Sequence, residues 1–409
     1  MIRRLFIFAG CAALSAMAAD AKFDAAIATN QLGLDLYRQL AKDHPKGNLV
    51  ISPYSIDSAI ALAYSGADGA TRTEMAGVLH FPEDDASLQA SFRNLRFALD
   101  QPVRGSVELH QANRLFGQQG YAIRPAFLTL MKVGYDAPIE LLDFKTNANA
   151  AREGINSWVE DQTHRKIRSL IPRGGLDGSS RLVLVNALYL KAPWEKPFRE
   201  DVTQSRPFHL NSAEAPEVST MHRTDHLRYV KEPGFTVVSL PYVGDQLQFL
   251  VLLPDEASIT DAVVAKLTPE RFKVWAELAP IENPWTRIEL YLPRFRVEGS
   301  SLALGSALRL LGMKRAFDEP QGSADFGRIA VRQSDDYLKL SEVFHRTFIA
   351  VDEKGTEAAA ATAVVVTGGF SMSALPPPVV VRIDRPFLFA IQDRVTGVCL
   401  FLGRITDPR

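Results

Sequence analysis

The sequence predicts a domain of the α+β class, and three observations lead to this fold class. Helical periodicity dominates the first third of the 409 residues, whereas strand-like apolar blocks dominate the last half. This order lacks the regular strand–helix alternation of a parallel α/β fold. The block 182–190 is apolar on both faces, which is typical of a central strand in a sheet that is covered on both sides. Residues 20–409 contain no internal repeat and no polar linker, so we assign them to a single domain.

The first two helices have recognisable start signals. Asp24 is placed to cap a helix that ends near Leu40. Ser52 as the cap and Pro53 in the first helical position start a second helix, which ends at Gly66. Because this second helix is apolar nearly all round, we expect it to be buried.

Capping patterns and apolar blocks predict the remaining elements. The capping box Thr71–Glu74 is expected to open a third helix, and a surface helix is expected over 86–99. Asn147 is expected to cap a helix that ends before a loop at 172–175. Strands are predicted at 107–116, 182–190, 236–240, 247–253, 288–297 (bent at Pro293), 338–351, 379–383, 387–391 and 398–402.

The N-terminus has the form of a secretory signal peptide over residues 1–19, because two arginines precede an apolar run that small residues follow. We therefore expect a secreted, periplasmic or extracellular protein. Cys11 ends a sequence that resembles a lipoprotein cleavage box, so a lipid anchor at Cys11 is the alternative. Without this peptide Cys399 is the single cysteine, and we expect it to be a buried, inert thiol. No other stretch reaches the ~18–20 apolar residues of a transmembrane helix.

Charge and motifs exclude several function classes. With 46 basic and 47 acidic residues the net charge is -1, which favours neither nucleic acid nor an acidic membrane as a partner. The motifs of serine hydrolases, phosphate-binding loops, zinc proteases and paired-cysteine sites are absent. His222 and His226 flank a loop-like stretch and lack a third ligand. We therefore expect no metal, no cofactor and no catalytic residue.

The segment from Asp352 to Pro378 is unusual because it has no charge between Glu357 and Arg382. A solvated linker normally carries polar residues, although a flexible linker or a short alanine helix is the alternative interpretation. With a strand's period of two, one face carries only small or β-branched residues. Such a segment could be exposed and yet slide into a sheet without burying a charge. These residues are Thr356, Ala358, Ala360, Thr362, Val364 and Val366.

The run from Val351 to Thr362 resembles the reactive-loop hinge of the serpins, and the segments 340–349, 384–389 and 402–404 resemble the same family. The resemblance covers about residues 23–404. It implies a large mixed β-sheet, two smaller sheets and eight to nine surrounding helices, with an exposed reactive-centre loop at about 353–378.

The resemblance also implies a function. The chain is expected to inhibit a serine-type endopeptidase as a suicide substrate and not to act as an enzyme. The protease would cleave the loop, which would then insert as a new strand and trap the covalent complex, and the inhibitor is expected to be a monomer. The hinge residues are Glu353, Gly355, Thr356, Glu357, Ala358, Ala359, Ala360, Ala361 and Thr362. The residues at the sheet opening are Ser52, Ser55, Asn186, His345 and Trp194; without the resemblance, the buried polar ones would be a satisfied core network.

Three bonds are candidates for cleavage. The family's usual spacing from Glu353 places the bond at Gly369–Phe370, a shift by one gives Phe370–Ser371, and a longer loop gives Met372–Ser373. Phe370–Ser371 is favoured because Gly369 offers a protease pocket nothing to hold. The expected targets are chymotrypsin-, elastase-, cathepsin-G- or subtilisin-like enzymes. The alternatives are a cysteine protease as the target, or a non-inhibitory carrier, chaperone or storage protein.

Overall fold

The structure is a computed structural model that describes residues 23–99, 107–210, 214–256, 260–278, 287–357 and 376–409. These residues form nine α-helices and three β-sheets, so the predicted α+β class is confirmed. A π-helical turn, Leu130–Gly134, follows the fifth helix directly. The helices are α1 (Ala25–Asp43), α2 (Pro53–Gly66), α3 (Gly69–Leu79), α4 (Asp85–Leu99), α5 (Pro125–Thr129), α6 (Phe144–Gln162), α7 (Thr260–Lys266), α8 (Pro269–Ala276) and α9 (Gly305–Leu310).

The strands form one large sheet and two smaller ones. The large sheet has, in spatial order, β11 (Phe295–Glu298), β13 (Leu340–Val351), β14 (Gly355–Thr356), β4 (Leu182–Pro193), β2 (Glu108–Gln118) and β3 (Glu140–Leu142), with β12 (Leu302–Ala303) beside β13. The six-stranded sheet has β1 (Leu49–Ile51), β17 (Cys399–Ile405), β16 (Phe387–Asp393), β9 (Leu247–Pro254), β8 (Phe235–Pro241) and β7 (Arg228–Glu232). The four-stranded sheet has β15 (Val379–Arg382), β10 (Ile288–Pro293), β6 (Glu217–Asp225) and β5 (Gln204–Pro207).

The centre of the large sheet is a parallel pair, whereas β2 pairs antiparallel with β4 and β11 with β13. The parallel strands β13 and β4 pair from Leu340 opposite Leu182 to Phe348 opposite Tyr189, with a shift of register between Leu340 and Glu342. At the far end of the two strands the short β14 pairs antiparallel with both of them. The large sheet is therefore mixed, as the sequence predicts.

Both faces of the large sheet are covered, which explains why β4 is apolar at almost every position. Val183 and Val185 pack with the buried side of α6. Leu184 packs on the opposite face in the core that includes α2, and Leu188 packs in the core that includes the six-stranded sheet. Burial on both faces confirms the interpretation of this block as a central covered strand.

The predicted starts of α1 and α2 are confirmed. Asp24 Oδ1 accepts a hydrogen bond from the amide of Ala26, and Ser52 Oγ accepts one from the amide of Ser55 at 3.1 Å. Pro53 occupies the first turn of α2, and this helix is buried along nearly its whole length.

The predicted capping box is wrong. Helix α3 begins earlier, at Gly69, and Asp68 is its cap. Thr71 Oγ1 instead accepts the amide of Asp325, and a Glu74 carboxylate oxygen accepts the amide of Arg315. Both side chains are therefore used in contacts between distant segments, which a local pattern does not reveal.

Three further local predictions need correction. Helix α6 begins at Phe144 with Asp143 as its cap, and Asn147 marks a kink inside it. The stretch 223–225 between His222 and His226, predicted to be loop-like, is the end of strand β6. The strand predicted at 288–297 with a bend at Pro293 is two strands: β10 ends at Pro293 in the four-stranded sheet, and β11 begins at Phe295 in the large sheet.

Some predictions concern parts of the chain that the structure does not describe. The proposed signal peptide and Cys11 lie outside the described residues. Among the helices of the described part, none is both long and apolar enough to cross a membrane. Cys399 is buried, as predicted, and burial raises the pKa of its thiol.

Candidate functional site

Strand β14 lies between the ends of the two central strands of the large sheet. Thr356 is opposite Val351 of β13 and Ala192 of β4. Gly355 has a φ of +152°, and a Cβ there would lie 2.2 Å from the carbonyl oxygen of Ala192. Only glycine fits this close approach without a shift of the backbone. The first residues of the predicted hinge are thus already hydrogen-bonded within the large sheet.

The side chain of Thr356 is fully buried beneath this end of the sheet. Its hydroxyl oxygen lies 2.5 Å from that of Tyr242, and the Tyr242 ring stacks on Trp194 at a centroid distance of 4.6 Å. Trp194 Nε1 donates to the carbonyl of Asp352 at 2.9 Å, and its amide donates to the carbonyl of Lys354. Trp194 therefore holds the backbone that precedes β14.

Glu353 ties the same backbone to two other elements. Its carboxylate accepts hydrogen bonds from Arg294 Nε at 2.7 Å and from Thr203 Oγ1 at 2.5 Å, and its carbonyl accepts the amide of Phe198. Although burial alone would raise the pKa of Glu353, the bonds from Arg294 and Thr203 lower it below its usual value. The carboxylate is therefore ionised and paired.

Glu357 ends the described part of the hinge. Its φ of 46° is unusual for a residue with a side chain, and its carboxylate accepts a hydrogen bond from Lys166, which lies in the segment after α6. The other hinge candidates, Ala358, Ala359, Ala360, Ala361 and Thr362, lie outside the described residues, as do Gly369, Phe370, Ser371 and Met372.

The polar residues Ser52, Ser55, Asn186 and His345 form one network beneath the middle of the large sheet. The amide of Ser52 donates to His345 Nε2 at 3.1 Å, and His345 Nδ1 contacts Asn186 Oδ1. Asn186 Nδ2 donates to Ser55 Oγ and to Asn113 Oδ1. The network thus links α2 with β4, β13 and β2.

Two residues of the site were not identified from the sequence. Asn113 on β2 completes the polar network, and Tyr242, which follows β8, completes the stack beneath the hinge. Trp194 lies with Tyr242 at the end of β4, apart from the network around Asn186. With a period of two, Asn113 shares a face with Leu109 and Leu115, so the alternation of β2 was a signal that it points inward, whereas its position opposite Asn186 is given only by the structure.

No group of three or more His, Cys, Asp or Glu side chains in the described part of the chain is arranged to hold a metal ion. His222 stacks on Tyr291 and lies 3.2 Å from a carboxylate oxygen of Glu289.

Comparisons with known proteins agree with this architecture. A family model described as "Serpin (serine protease inhibitor)" matches residues 27–408. An uncharacterised serpin-like protein of Thermococcus kodakarensis is 38% identical over 93% of this chain and 85% of its own length. Plasminogen activator inhibitor 2 of Homo sapiens is 35% identical over 94% of this chain and 100% of its own length. Leukocyte elastase inhibitor of Homo sapiens is 34% identical over 93% of this chain and 98% of its own length.

The fold is also similar to solved structures. Uncleaved ovalbumin superposes with a TM-score of 0.81 at 29% sequence identity, over 94% of this chain and 100% of the ovalbumin chain.

Proposed function

The chain belongs to the serpin family, and from this membership we propose that it traps a serine protease as a single-use substrate. The protease cleaves the segment after β14, and the cleaved segment inserts between β4 and β13 while the protease remains bound as an acyl-enzyme. The observation that carries the proposal is the position of β14 between those two strands. The protein is consumed in the process and does not turn over.

Continuing the register of β14 gives the contacts of the inserted strand. With Thr356 opposite Ala192 and Val351, each step along the loop advances one residue towards Leu182 on β4. In this register Thr362 falls opposite both Asn186 and His345, which face each other in the closed sheet. Insertion therefore requires the contact between Asn186 and His345 to break.

The same register explains why one face of the segment carries no charge. The side chains of Leu188, Leu190 and Ala192 point into the apolar core beneath the sheet. Side chains directly opposite each other in an antiparallel pair lie on the same face, so Ala358 and Ala360 would enter this core. Burying a charge there would cost far more than one hydrogen bond returns. The small, uncharged residues therefore support the inhibitory type over a carrier, chaperone or storage protein.

The free energy of insertion is of the size that trapping needs. The ladder between β4 and β13 breaks and two ladders form, so the net gain is about one ladder. About ten hydrogen bonds at ~0.5–1.5 kcal/mol each amount to roughly 5–15 kcal/mol. The folded state of a typical protease is more stable than its unfolded state by about 5–15 kcal/mol. Insertion can therefore distort the active site of the trapped enzyme.

The three candidate bonds differ in the length of the tether, which is the stretch of chain between the inserted strand and the bond to the protease. In the continued register Val366 falls opposite Leu182, where β4 begins. The tether beyond it is residues 367–369, 367–370 or 367–372 for the bonds after Gly369, Phe370 and Met372, and each residue adds about 3.3 Å. A short tether presses the protease against the sheet, which favours the first two bonds. Phe370 remains the preferred residue before the bond because chymotrypsin-, elastase- or subtilisin-like pockets can hold it.

The test is to mix the purified protein with chymotrypsin and to separate the products on a denaturing gel. We expect a covalent band near the summed masses, and a released C-terminal peptide whose first residue is Ser371. Cleavage with the enzyme left fully active, for chymotrypsin, elastase and subtilisin alike, would reject trapping of this protease class. Repeating the assay with papain decides whether a cysteine protease is the target instead.

We also propose that residues 1–19 direct export of the chain. N-terminal sequencing of the protein from the culture medium or periplasm is expected to begin near residue 19 or 20. Incorporation of labelled palmitate into the wild type, but not into Cys11→Ser, would instead establish the lipid anchor.

A further inference from the structure

The two central strands of the large sheet pair irregularly at the end where both begin. Leu182 is the first residue of β4, and its amide donates to the carbonyl of Lys339 at 3.0 Å. The amide of Arg181 donates to the side chain of Ser341, at 2.9 Å from its Oγ, and not to a backbone carbonyl. The register of the two strands also shifts within the first residues of β13. The regular ladder therefore does not extend to this end of the sheet, which we call the base of the sheet.

A cavity of about 430 Å³ lies against the base of the sheet. Its lining includes Ser179 and Ser180 before β4, Lys339 before β13, and Ser341 and Phe344 within β13. The interior of a protein is normally packed without voids of this size. Apolar packing therefore leaves space beside the base, and polar side chains connect the two strands there.

Asp336 joins the segment before β13 to three other elements. Its Oδ1 accepts hydrogen bonds from Arg181 Nε at 2.9 Å and from the Tyr121 hydroxyl at 2.5 Å. Its Oδ2 accepts a hydrogen bond from Lys145. Although burial alone would raise the pKa of Asp336, the hydrogen bonds from these partners lower it to about 2. The carboxylate is therefore ionised at neutral pH and paired with two cations.

The three partners of Asp336 all belong to the half of the molecule that contains β4. Arg181 directly precedes β4, and Tyr121 follows β2, which pairs with β4. Lys145 lies in α6, which packs against β4. Asp336 is thus bound to the β4 half, although its own chain continues into β13.

The residue that follows Asp336 is bound to the other half. The hydroxyl of Tyr337 donates to Asp318 Oδ2 at 2.9 Å. Asp318 ends the turn Arg315–Phe317, which packs in the core with Leu340 of β13. The boundary between the two halves therefore falls between Asp336 and Tyr337.

We propose that Asp336 is a latch that holds the base of the sheet closed and limits the rate of strand insertion, an inference that rests on the proposed function. Insertion raises the distance between β4 and β13 from about 4.8 Å to about 9.6 Å. Three residues separate Asp336 from Leu340, where β13 begins, and the first of them is bound to Asp318. Asp336 therefore leaves its partners when β13 moves away. The latch opens before the last residues of the strand enter, so weakening it speeds insertion.

Two variants and a matched control test the latch. Asp336→Asn removes the charge, and Lys145→Gln removes the partner on α6. Asp335→Asn removes the same charge from the exposed neighbour, whose carboxylate contacts Ser334.

The probe is a labelled synthetic peptide with the sequence of residues 357–367, and its incorporation into each full-length protein is followed on native gels. We expect Asp336→Asn to incorporate the peptide about three to ten times faster than the wild type, because hydrogen bonds to a partly exposed carboxylate are of modest strength. Lys145→Gln is expected to give a smaller acceleration. Asp335→Asn is expected to behave as the wild type does.

Hydrogen exchange of the uncleaved proteins measures the base directly. Fragments that cover residues 182–190 are expected to exchange faster in Asp336→Asn than in the wild type, whereas fragments from the six-stranded sheet are expected not to change. Unchanged exchange at 182–190 would overturn the latch. So would a loss of stability in Asp336→Asn without faster incorporation, because Asp336 would then have a structural role alone.

Equal acceleration by Asp335→Asn, or absence of incorporation in all the proteins, would also overturn the proposal. The proposed function is decided separately by the covalent band with chymotrypsin. A wild type that forms this band, together with equal incorporation rates in all variants, would retain the proposed function and reject the latch.

Discussion

At the level of single residues, the polar network defines the protonation state of His345. The amide of Ser52 donates to Nε2, so this nitrogen carries no proton, and Nδ1 donates its proton to Asn186 Oδ1. Burial lowers the pKa of His345 to about 3. The imidazole is therefore neutral, because a second proton would place two donors face to face.

Asp57, on the same helix as Ser55, is a buried acid whose pKa is raised, whereas the pKa of His345 is lowered. Thr29 donates to its Oδ2, whereas Oδ1 has no hydrogen-bond partner among the described residues. Burial raises the pKa of Asp57 to about 7, although the bond from Thr29 acts in the other direction. The folded protein therefore keeps this carboxyl protonated over a range in which the unfolded chain ionises it.

The two groups are expected to give opposite pH dependences of stability. For His345 the unfolded chain binds more protons between about pH 3 and pH 6.5, so its contribution to stability decreases as pH falls through this window. For Asp57 the folded chain binds more protons between about pH 4 and pH 7, so its contribution decreases as pH rises. Each slope is on the order of 1.4 kcal/mol per pH unit, and in the wild type they partly cancel.

Urea unfolding at pH values from 4 to 8 separates the contributions of His345 and Asp57 to stability. The free energy of unfolding of His345→Gln minus that of the wild type is expected to fall as pH rises from 4 to 6.5. The corresponding difference for Asp57→Asn is expected to rise over the same range. Parallel pH profiles for all three proteins would contradict both assignments.

Thr356 holds the start of the segment in the sheet, at the point from which insertion would proceed. Thr356→Arg would place a charge against Tyr242 and Trp194 in a fully buried site. We expect this variant to be cleaved by chymotrypsin without forming the covalent band, so that it becomes a substrate. Thr356→Ser, which keeps the hydroxyl, is the control and is expected to trap the protease. Continued trapping by Thr356→Arg would refute insertion from this end of the sheet.

At the level of elements, β14 is held from both sides and from below. Its neighbours are β13 and β4, and the residues before it contact Trp194, Phe198 and Arg294. These contacts connect the hinge to the segment after β4 and to the start of β11. The hinge therefore contacts elements that are far apart in the sequence.

The ion pair between Glu353 and Arg294 joins the hinge to the residue that precedes β11. Removing one partner leaves a buried acceptor or an unpaired guanidinium. We expect Glu353→Gln to lower the free energy of unfolding by about 1–3 kcal/mol. A double-mutant cycle with Arg294→Gln is expected to give a coupling of about 1 kcal/mol, because Arg294 is partly exposed.

Urea unfolding of the four proteins at neutral pH measures this coupling. The double variant should be no less stable than Glu353→Gln alone. Additive losses would mean that the two side chains act independently.

At the level of the whole molecule, the proposed mechanism requires the closed sheet to be less stable than the sheet with the segment inserted. Insertion adds about one hydrogen-bonded ladder, worth roughly 5–15 kcal/mol. Cleavage of the segment by a protease that is not trapped is therefore expected to raise the midpoint of thermal unfolding by roughly 6–18 °C for a chain of this length.

Differential scanning calorimetry before and after limited proteolysis measures the change. Cleaved Thr356→Arg is the matched control and is expected to show no increase. An unchanged midpoint in the cleaved wild type would mean that the segment does not insert.

Local patterns predicted the elements whose signals are local. The start of α2 at Ser52 and Pro53 and the covered strand β4 follow from capping and from apolar runs, which depend on neighbours in the sequence. The predictions failed at Thr71 and at residues 223–225, where distant segments supply the partners. Asn113 and Tyr242 were missed for the same reason.

The sequence by itself determined that one central strand is buried on both faces and that a segment without charge precedes the last strands. These properties follow from the hydrophobicity and size of the individual residues and from their spacing, which the sequence gives directly. Only the tertiary structure decided that β4 and β13 are parallel neighbours, that β14 lies between their ends, and that Asn186 faces His345. Strand pairing between residues more than 150 positions apart depends on how all layers pack together, and no local period encodes it.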